Sequence, residues 1–327
     1  MSPRARVITV VSAVALVAVA AVVVLALSQR DDPSLRGVST GTTDERPALE
    51  LAVIDRNDRE ARALRRAERL YEEDHPDEAR VDFEALVREN PDSVEAAIGQ
   101  AVASWPDGTL DELGAIAADH PSSAVALLNL GLARYAAGDP NGAQEDWREA
   151  QERDPDSPAA LRAEDLLNPH SPPGRPQFLV EHVPRRLVRM SLDERLATLR
   201  RTAQDRGNVE DWILYGSALE TIGHRESARR AYDQAVEAGP ERLDALVAAA
   251  VARFDKDDPS AAFSRIGPLA PKHPDAAIVR FHLGLMLLWL PDLKEARSQL
   301  ERAAAIDPNG FYGRQAARVL KRLDTIQ

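Results

Sequence analysis

The side chains of this chain that could carry out chemistry are seven histidines and many carboxylates, and there is no cysteine. Catalysis needs such groups at set spacings, and no P-loop, G-x-G-x-x-G, H-E-x-x-H or G-x-S-x-G motif occurs. The histidines are not spaced as metal ligands on one helix face. Three of them, His75, His120 and His273, directly precede prolines and fit turns. The sequence therefore indicates a protein that is not an enzyme and has no metal or cofactor.

The charge balance argues against a nucleic acid as partner. The chain has 41 basic and 53 acidic residues, a formal net charge of −12 at pH 7. An acidic surface repels phosphate backbones. The locally basic stretch is 185–206, and we favour a solvated helix face there over a site for anionic lipid or an acidic partner.

An uncharged stretch near the amino terminus, Val7 to Leu27, has the character of a membrane-spanning helix. As a helix it would reach about 30 Å, the thickness of a bilayer's hydrocarbon core. The alternative is a signal peptide cleaved near Ala26-Leu27-Ser28, but such signals have shorter apolar stretches. We therefore expect an uncleaved, single-pass anchor within residues 1–28.

The orientation of this anchor follows from Arg4 and Arg6, which precede it. The positive-inside rule predicts a cytoplasmic amino terminus, so the rest of the chain is expected outside the cytoplasm, attached to the cell membrane. Residues 29–48 are polar and rich in turn formers, and we expect a flexible tether there.

The remaining sequence has a 34-residue period. The repeating positions are Pro240, Pro274 and Pro308, with Ala228, Ala262 and Ala296 twelve residues before each. A period of this size is typical of a solenoid whose units are helical hairpins that bury their apolar faces against one another. Apolar residues recur at helical spacing elsewhere, so the exported part is expected to be all-α.

The unit at 208–240 shows the packing pattern most clearly. Gly216 and Ala228 fit where two helices cross closely, and Trp212 and Tyr232 fill the volume beside them. This order of large, small and aromatic residues before a proline resembles the tetratricopeptide repeat, a helix-turn-helix family. The small residues expected at the close approaches are Gly131, Ala143, Gly216, Ala228, Ala250, Ala262, Gly284 and Ala296.

The resemblance covers most of residues 59–323 and implies a tetratricopeptide α-solenoid of about six hairpins behind a single N-terminal transmembrane helix. We expect a first block at 49–168, a proline-rich connector at 169–190 and a second block at 191–327. Each block ends in a short helix that we interpret as a cap for an exposed last repeat. One continuous superhelix is the alternative arrangement.

The resemblance also implies an inner surface, lined by the first helix of each hairpin, that binds an extended peptide or a partner helix. The candidate groove residues are Ile98, Val102, Trp105, Leu128, Leu132, Tyr135, Ile213, Val247, Val251, Phe254, Phe281, Leu285, Leu288 and Trp289. A carboxylate clamp would need basic and amide side chains, which only Asn129 and Arg65 provide. We therefore expect an apolar or amphipathic ligand segment.

The amphipathic connector segment from Phe178 to Met190 is a candidate internal occupant of a groove, or a self-association element. The leading interpretation of the whole chain is a membrane-anchored tetratricopeptide scaffold. Its apolar concave grooves would bind protein or peptide segments and assist assembly or export of cell-envelope proteins. The alternatives are a self-associating, homo-oligomeric envelope protein and a chaperone similar to those of cytochrome c maturation.

Overall fold

The computed structural model describes residues 46–291 and 293–325. Helices joined by turns make up this part of the chain, which contains no strand, and the expected all-α fold is confirmed. None of the described helices is both long enough and apolar enough to cross a bilayer. The predicted anchor, Val7 to Leu27, lies outside the described residues, together with residues 29–45 of the predicted tether.

The described chain divides into two compact units. The amino-terminal unit contains residues 46–168 and 182–239, and the carboxy-terminal unit contains residues 169–181 and 240–325. This division differs from the predicted blocks, because residues 191–239 group with the first unit and the first part of the connector groups with the second.

The amino-terminal unit is a row of helical hairpins. Its helices are α1 (Arg59–Glu72), α2 (Pro76–Glu89), α3 (Val94–Ala103), α4 (Thr109–Asp119), α5 (Ala124–Ala136), α6 (Pro140–Arg153), α7 (Pro158–Leu167), α8 (Arg185–Val188), α9 (Leu192–Arg206), α10 (Val209–Thr221) and α11 (Arg225–Ala238). The hairpins are α1/α2, α3/α4, α5/α6 and α10/α11, while α7 packs on α6 and α9 on α10.

Polar side chains fix where these helices begin. Ser93, Ser123 and Ser157 each accept a hydrogen bond from the backbone amide three residues on, which caps α3, α5 and α7. Ser191 and Glu194 form the predicted capping box of α9. Gly223, with φ of 83°, makes the predicted turn between α10 and α11 in a conformation that favours glycine.

Glycines stand where paired helices approach most closely. A Cβ atom at Gly216 would lie 2.6 Å from Cε1 of Tyr232, and one at Gly131 would overlap the Trp147 indole. Both aromatic rings are buried and fill the space beside the glycine. Ala143 and Ala228, one turn closer to the start of the second helix, are also completely buried.

Helix α7 differs from the exposed cap that the sequence predicts, because the turn into α11 docks on it within the amino-terminal unit. The amide of Ser227 donates to Asp156 over 2.8 Å. Arg225 pairs with the buried Glu164 at 3.2 Å. These contacts continue the row of hairpins from α7 into α10 and α11.

The carboxy-terminal unit repeats the same construction. Its helices are α12 (Leu243–Val251), α13 (Ser260–Ile266), α14 (Leu269–Lys272), α15 (Ala277–Leu287), α16 (Leu293–Ile306) and α17 (Phe311–Leu323). Helices α12 and α13 form one hairpin, α15 and α16 the next, and α17 packs on α16. A Cβ atom at Gly284 would lie 2.8 Å from Cγ of Leu300. Completely buried alanines, Ala250, Ala262 and Ala296, occupy the other predicted packing positions.

Candidate peptide-binding surface

Most of the predicted groove residues are buried. Trp105 and Tyr135 are half-buried. The other twelve are buried: Ile98, Val102, Leu128, Leu132, Ile213, Val247, Val251, Phe254, Phe281, Leu285, Leu288 and Trp289. These twelve side chains therefore line no open groove in the described residues. Two segments of the chain itself lie on the surfaces where a ligand was expected, residues 47–53 (the first strap) and residues 174–180 (the second strap).

The first strap lies on the inner face of the amino-terminal unit, the face formed by the first helix of each hairpin and by α7. Burial alternates along it, since Leu49, Leu51 and Val53 are 3%, 1% and 3% exposed and Ala48 is exposed. From Leu49 to Leu51 this two-residue period is that of an extended chain with one side buried. Val53 begins the short 3-10 turn that follows. The three aliphatic side chains belong to the same apolar cluster as Ile98 and Val102.

Asn129, a fully buried residue of α5, binds both the amide and the carbonyl group of one residue in the first strap. Its Oδ1 accepts a hydrogen bond from the Glu50 amide at 3.0 Å, and its Nδ2 donates to the Glu50 carbonyl at 2.9 Å. Its Nδ2 also donates to the carbonyl of Val125 at 2.8 Å, which fixes the orientation of the amide. The side-chain amide thus pairs with the N–H and the C=O of one residue, as a neighbouring strand would.

Side chains of α1 and α7 bind the rest of the first strap. Glu68 accepts a hydrogen bond from the Leu51 amide at 2.7 Å. The Tyr71 hydroxyl donates to the Pro47 carbonyl at 2.7 Å. Arg162 of α7 pairs with the carboxylate of Glu50 at 2.8 Å. The inner face therefore recognises mainly the backbone of this segment, with one charge pair in addition.

The Glu68 carboxyl group, which accepts the hydrogen bond from the Leu51 amide, is largely removed from water. Burial raises the pKa of its carboxyl group to about 7, the nearby Glu50 and Glu72 carboxylates act in the same direction, and the Leu51 amide opposes them. The neutral carboxylic acid is therefore stabilised where the first strap covers it.

We expect Glu68→Gln to remove one pH dependence of stability. A pKa raised from 4.5 to about 7 gives stability that is complete below pH 4.5 and is lost as pH rises through 7. Glutamine keeps an oxygen for the Leu51 amide and cannot ionise. As the pH rises from 4.5 to 8, the wild-type chain should lose about 3 kcal/mol in free energy of unfolding relative to the variant. Urea titrations at several pH values measure this shift.

The matched control is Glu73→Gln, an exposed carboxylate directly after α1. This variant should keep the loss of stability that the wild-type chain shows as the pH rises through 7. A Glu68→Gln variant whose stability differs from the wild type by the same amount at every pH would contradict the assigned environment.

The second strap lies on the inner face of the carboxy-terminal unit, formed by α12, α15 and α17. Trp289 donates from Nε1 to the Gly174 carbonyl at 2.9 Å. The Leu179 amide donates to Nε2 of His282 at 3.0 Å, and the Tyr312 hydroxyl donates to the Leu179 carbonyl at 3.0 Å. Side chains thus bind the backbone of this segment as well.

Two side chains of the second strap are also held. Phe178 is 3% exposed, and its ring stacks on the imidazole of His282 with centroids 4.8 Å apart and an interplanar angle of 10°. Arg175 pairs with Asp255 at 2.7 Å. The prediction of an internal occupant is confirmed for Phe178. The occupant begins earlier than predicted, at Gly174, and residues from 182 onward group with the other unit.

The tautomer of His282 follows from its two hydrogen bonds. Nε2 accepts from Leu179, so Nδ1 carries the proton and donates to the Ile278 carbonyl at 2.8 Å. Burial lowers the pKa of His282 to about 4. The neutral imidazole is the form that the second strap requires, because a protonated Nε2 could not accept a hydrogen bond.

A titratable cluster joins the end of the first strap to the start of α11. Nε2 of His224 lies 3.3 Å from Oδ2 of Asp55, in the short 3-10 turn Val53–Asp55. The hydrogen bond with Asp55 and the charge of Asp156 raise the pKa of His224 against the effect of burial. Across residues 46–291 and 293–325, no three histidine or acidic side chains are grouped to hold a metal ion.

The first strap was not predicted from the sequence, because residues 47–53 fall across the boundary between the expected tether and the expected first block. The available signal was the alternation of Leu49, Leu51 and Val53, which departs from the helical period just before the first hairpin. Asn129 was recognised only as a polar residue of the inner surface. Its role depends on a partner that lies 79 residues away in the sequence.

The chain belongs to the tetratricopeptide repeat family. One family model, described as a tetratricopeptide repeat, matches residues 64–116, 216–267 and 269–311. A second model with the same description matches residues 125–157. These ranges together cover more than half of the chain and include hairpins of both units. No curated protein matches the chain.

Three solved structures illustrate the similarity. Yeast Tom70 is 15% identical over 87% of this chain and 53% of its own, with a TM-score of 0.36. A thermophilic tetratricopeptide repeat protein of Thermus thermophilus is 20% identical over 59% of this chain and 98% of its own, with a TM-score of 0.27. A tetratricopeptide repeat protein from Parabacteroides merdae is 11% identical over 80% and 98%, with a TM-score of 0.34. The chain spans about half the length of Tom70.

Proposed function

We propose that this chain is a membrane-anchored, non-catalytic scaffold that holds extended segments of partner proteins on the inner faces of its hairpins, outside the cytoplasm. The observation that carries the proposal is the binding of an extended segment through its backbone on each inner face, by side chains such as Asn129 and His282. Backbone contacts suit segments of many sequences, so the same surfaces can receive a segment of another protein. The role we propose is in assembly or export of cell-envelope proteins.

The membrane part of the proposal is supported by the uncharged stretch from Val7 to Leu27 and by Arg4 and Arg6 before it. Protease added to intact cells should digest the carboxy-terminal region, and deletion of residues 1–28 should release the chain from membranes. A carboxy terminus protected from protease would contradict the orientation. Retention in membranes after the deletion would contradict the anchor.

The binding part can be tested by opening the inner face of the amino-terminal unit. Leu49→Asp combined with Leu51→Asp places two charges in an apolar cluster and should unseat the first strap. Purified from detergent-solubilised membranes, this opened chain should retain several-fold more of its partner proteins than the wild-type chain. Quantitative mass spectrometry of the co-purified proteins measures the difference.

Two controls separate specific binding from adhesion to an exposed apolar surface. Ile54→Asp adds a charge at a neighbouring side chain that is 55% exposed, and it should leave co-purification unchanged. Asn129→Ala, added to the opened chain, keeps the apolar surface and removes two backbone contacts, so specific partners should be lost. Equal recovery with and without Asn129 would contradict the proposal.

A further inference from the structure

We propose that the first strap is an internal ligand that a segment of the partner protein displaces, and that this segment is extended, with aliphatic residues at alternate positions and an acidic residue between them. The inference rests on the proposed peptide-binding function and specifies its ligand.

The aliphatic requirement follows from the sites that Leu49 and Leu51 fill. Both side chains are almost completely buried in the cluster that contains Ile98 and Val102. Side chains two residues apart share one face only in an extended chain, since helical residues that share a face stand three or four apart. The site therefore selects an extended ligand over an amphipathic helix.

The acidic preference follows from Arg162, which lies 2.8 Å from the Glu50 carboxylate. The two side chains are 36% and 33% exposed, so water weakens their attraction. We expect an acidic residue at this position to improve binding several-fold without being essential.

The backbone contacts restrict the ligand in a further way. The amides of Glu50 and Leu51 both donate to the inner face, to Asn129 and Glu68. A displacing segment therefore has no proline at these two positions. Proline is accepted at the position of Pro47, where Tyr71 contacts only the carbonyl group.

Displacement is favoured by the way the strap leaves the inner face. Ala52, directly after Leu51, has φ of 55° and ψ of 26°, in the left-handed region that residues other than glycine disfavour. The covalent link to α1 imposes this conformation on the strap. A separate segment makes the same contacts at Leu49, Glu50 and Leu51 and carries no such link, so it is released from the strain.

The test uses a fluorescent peptide with the sequence of residues 46–55 as the probe. Fluorescence anisotropy measures its binding to the full-length chain in detergent micelles. The opened chain, with Leu49→Asp and Leu51→Asp, should bind the probe at least tenfold more tightly than the wild-type chain, because its own strap no longer competes. Equal affinity of the two chains for the probe would overturn the inference.

Peptide variants test the ligand pattern. A probe with Leu49→Asp and Leu51→Asp should not bind the opened chain, and one with Glu50→Lys should bind several-fold more weakly. The matched control, a probe with Ile54→Lys, changes an exposed position and should bind as the unaltered probe does. A probe whose binding survives both leucine substitutions would overturn the proposed pattern.

A second measurement needs no variant of the protein. In the wild-type chain, the Glu50 and Leu51 amides should exchange hydrogen for deuterium faster when unlabelled peptide is present at saturation, because they lose Asn129 and Glu68 as acceptors. Unchanged exchange with peptide bound would overturn the inference, even if the opened chain fails to fold.

Displacement without any partner recovered from membranes would refute the proposed function alone. Recovered partners with undisturbed exchange at Glu50 and Leu51 would refute this inference alone.

Discussion

Replacing Gly216 with leucine is expected to lower the free energy of unfolding by about 3 kcal/mol, the upper part of the usual range for overpacking. Even the first added atom would lie 2.6 Å from the ring of Tyr232. That ring is completely buried, and its hydroxyl donates to Glu220 at 2.7 Å, so it cannot move aside. Urea or thermal unfolding followed by circular dichroism measures the loss.

Two other glycines provide the comparison. Apart from the neighbouring residues and backbone of α4 itself, no atom lies within 4 Å of a Cβ placed at Gly114, so Gly114→Leu should raise stability by about 0.5 kcal/mol through helix propensity. Gly284→Leu should also destabilise the chain, because a Cβ there would lie 2.8 Å from Cγ of the completely buried Leu300 and 3.2 Å from the Ala296 carbonyl oxygen. A Gly216→Leu chain that melts as the wild type does would show that α10 and α11 do not pack this closely.

Acid is expected to destabilise the carboxy-terminal unit through His282. Its pKa is lowered from 6.5 to about 4, so the folded state binds the proton less readily than the unfolded state. The stabilising contribution is complete above pH 6.5 and is lost as pH falls through 4. Over this pH range, the loss in free energy of unfolding is on the order of 3 kcal/mol. Urea titrations between pH 7 and 4, together with amide exchange at Leu179, measure this loss.

The variant that isolates this effect is His282→Gln, which cannot gain a proton in this range. It should be less stable than the wild-type chain at pH 7, because the stack with Phe178 is lost, and the difference should shrink as the pH falls to 4. The control His75→Gln, at a side chain that is 54% exposed, should keep the acid-induced increase in amide exchange at Leu179. Parallel pH profiles for wild type and His282→Gln would rule out the assigned role.

The hairpins could be predicted from the sequence because their determinants are local. Gly216, Ala228 and Tyr232 meet within one 34-residue unit, and the turn at Gly223 depends on its own backbone conformation. The capping box at Ser191 and Glu194 is equally local. Periodicity reports such contacts directly, so the fold class, the family and the turns followed from the residues alone.

The covering of the inner faces could not be predicted in the same way. An apolar stripe such as Ile98 and Val102 indicates that something must cover it, but the stripe does not say whether a partner or the same chain does so. The covering contacts join residues 79 apart in the first strap and 115 apart in the second. Contacts at such separations leave no periodic trace in the sequence. The alternation of Leu49, Leu51 and Val53 indicates an extended segment, but it does not say which surface that segment covers.

The docking of α11 on α7 escaped prediction for the same reason. The contact between Ser227 and Asp156 joins residues 71 positions apart, across a connector whose prolines suggested a break in the array. Proline content describes the stiffness of the connector and not the place where the following helices settle.

The first strap ends at Val53, five residues before Asp58, the N-cap of α1, and this short connection has a mechanical consequence. While the strap is seated, the chain between Arg46 and Asp58 is stored against the protein surface. Once the first strap is displaced, the segment from Arg46 to Asp58 can extend to at most about 45 Å. Capture of a ligand would therefore allow the first hairpin to lie up to this distance from Arg46.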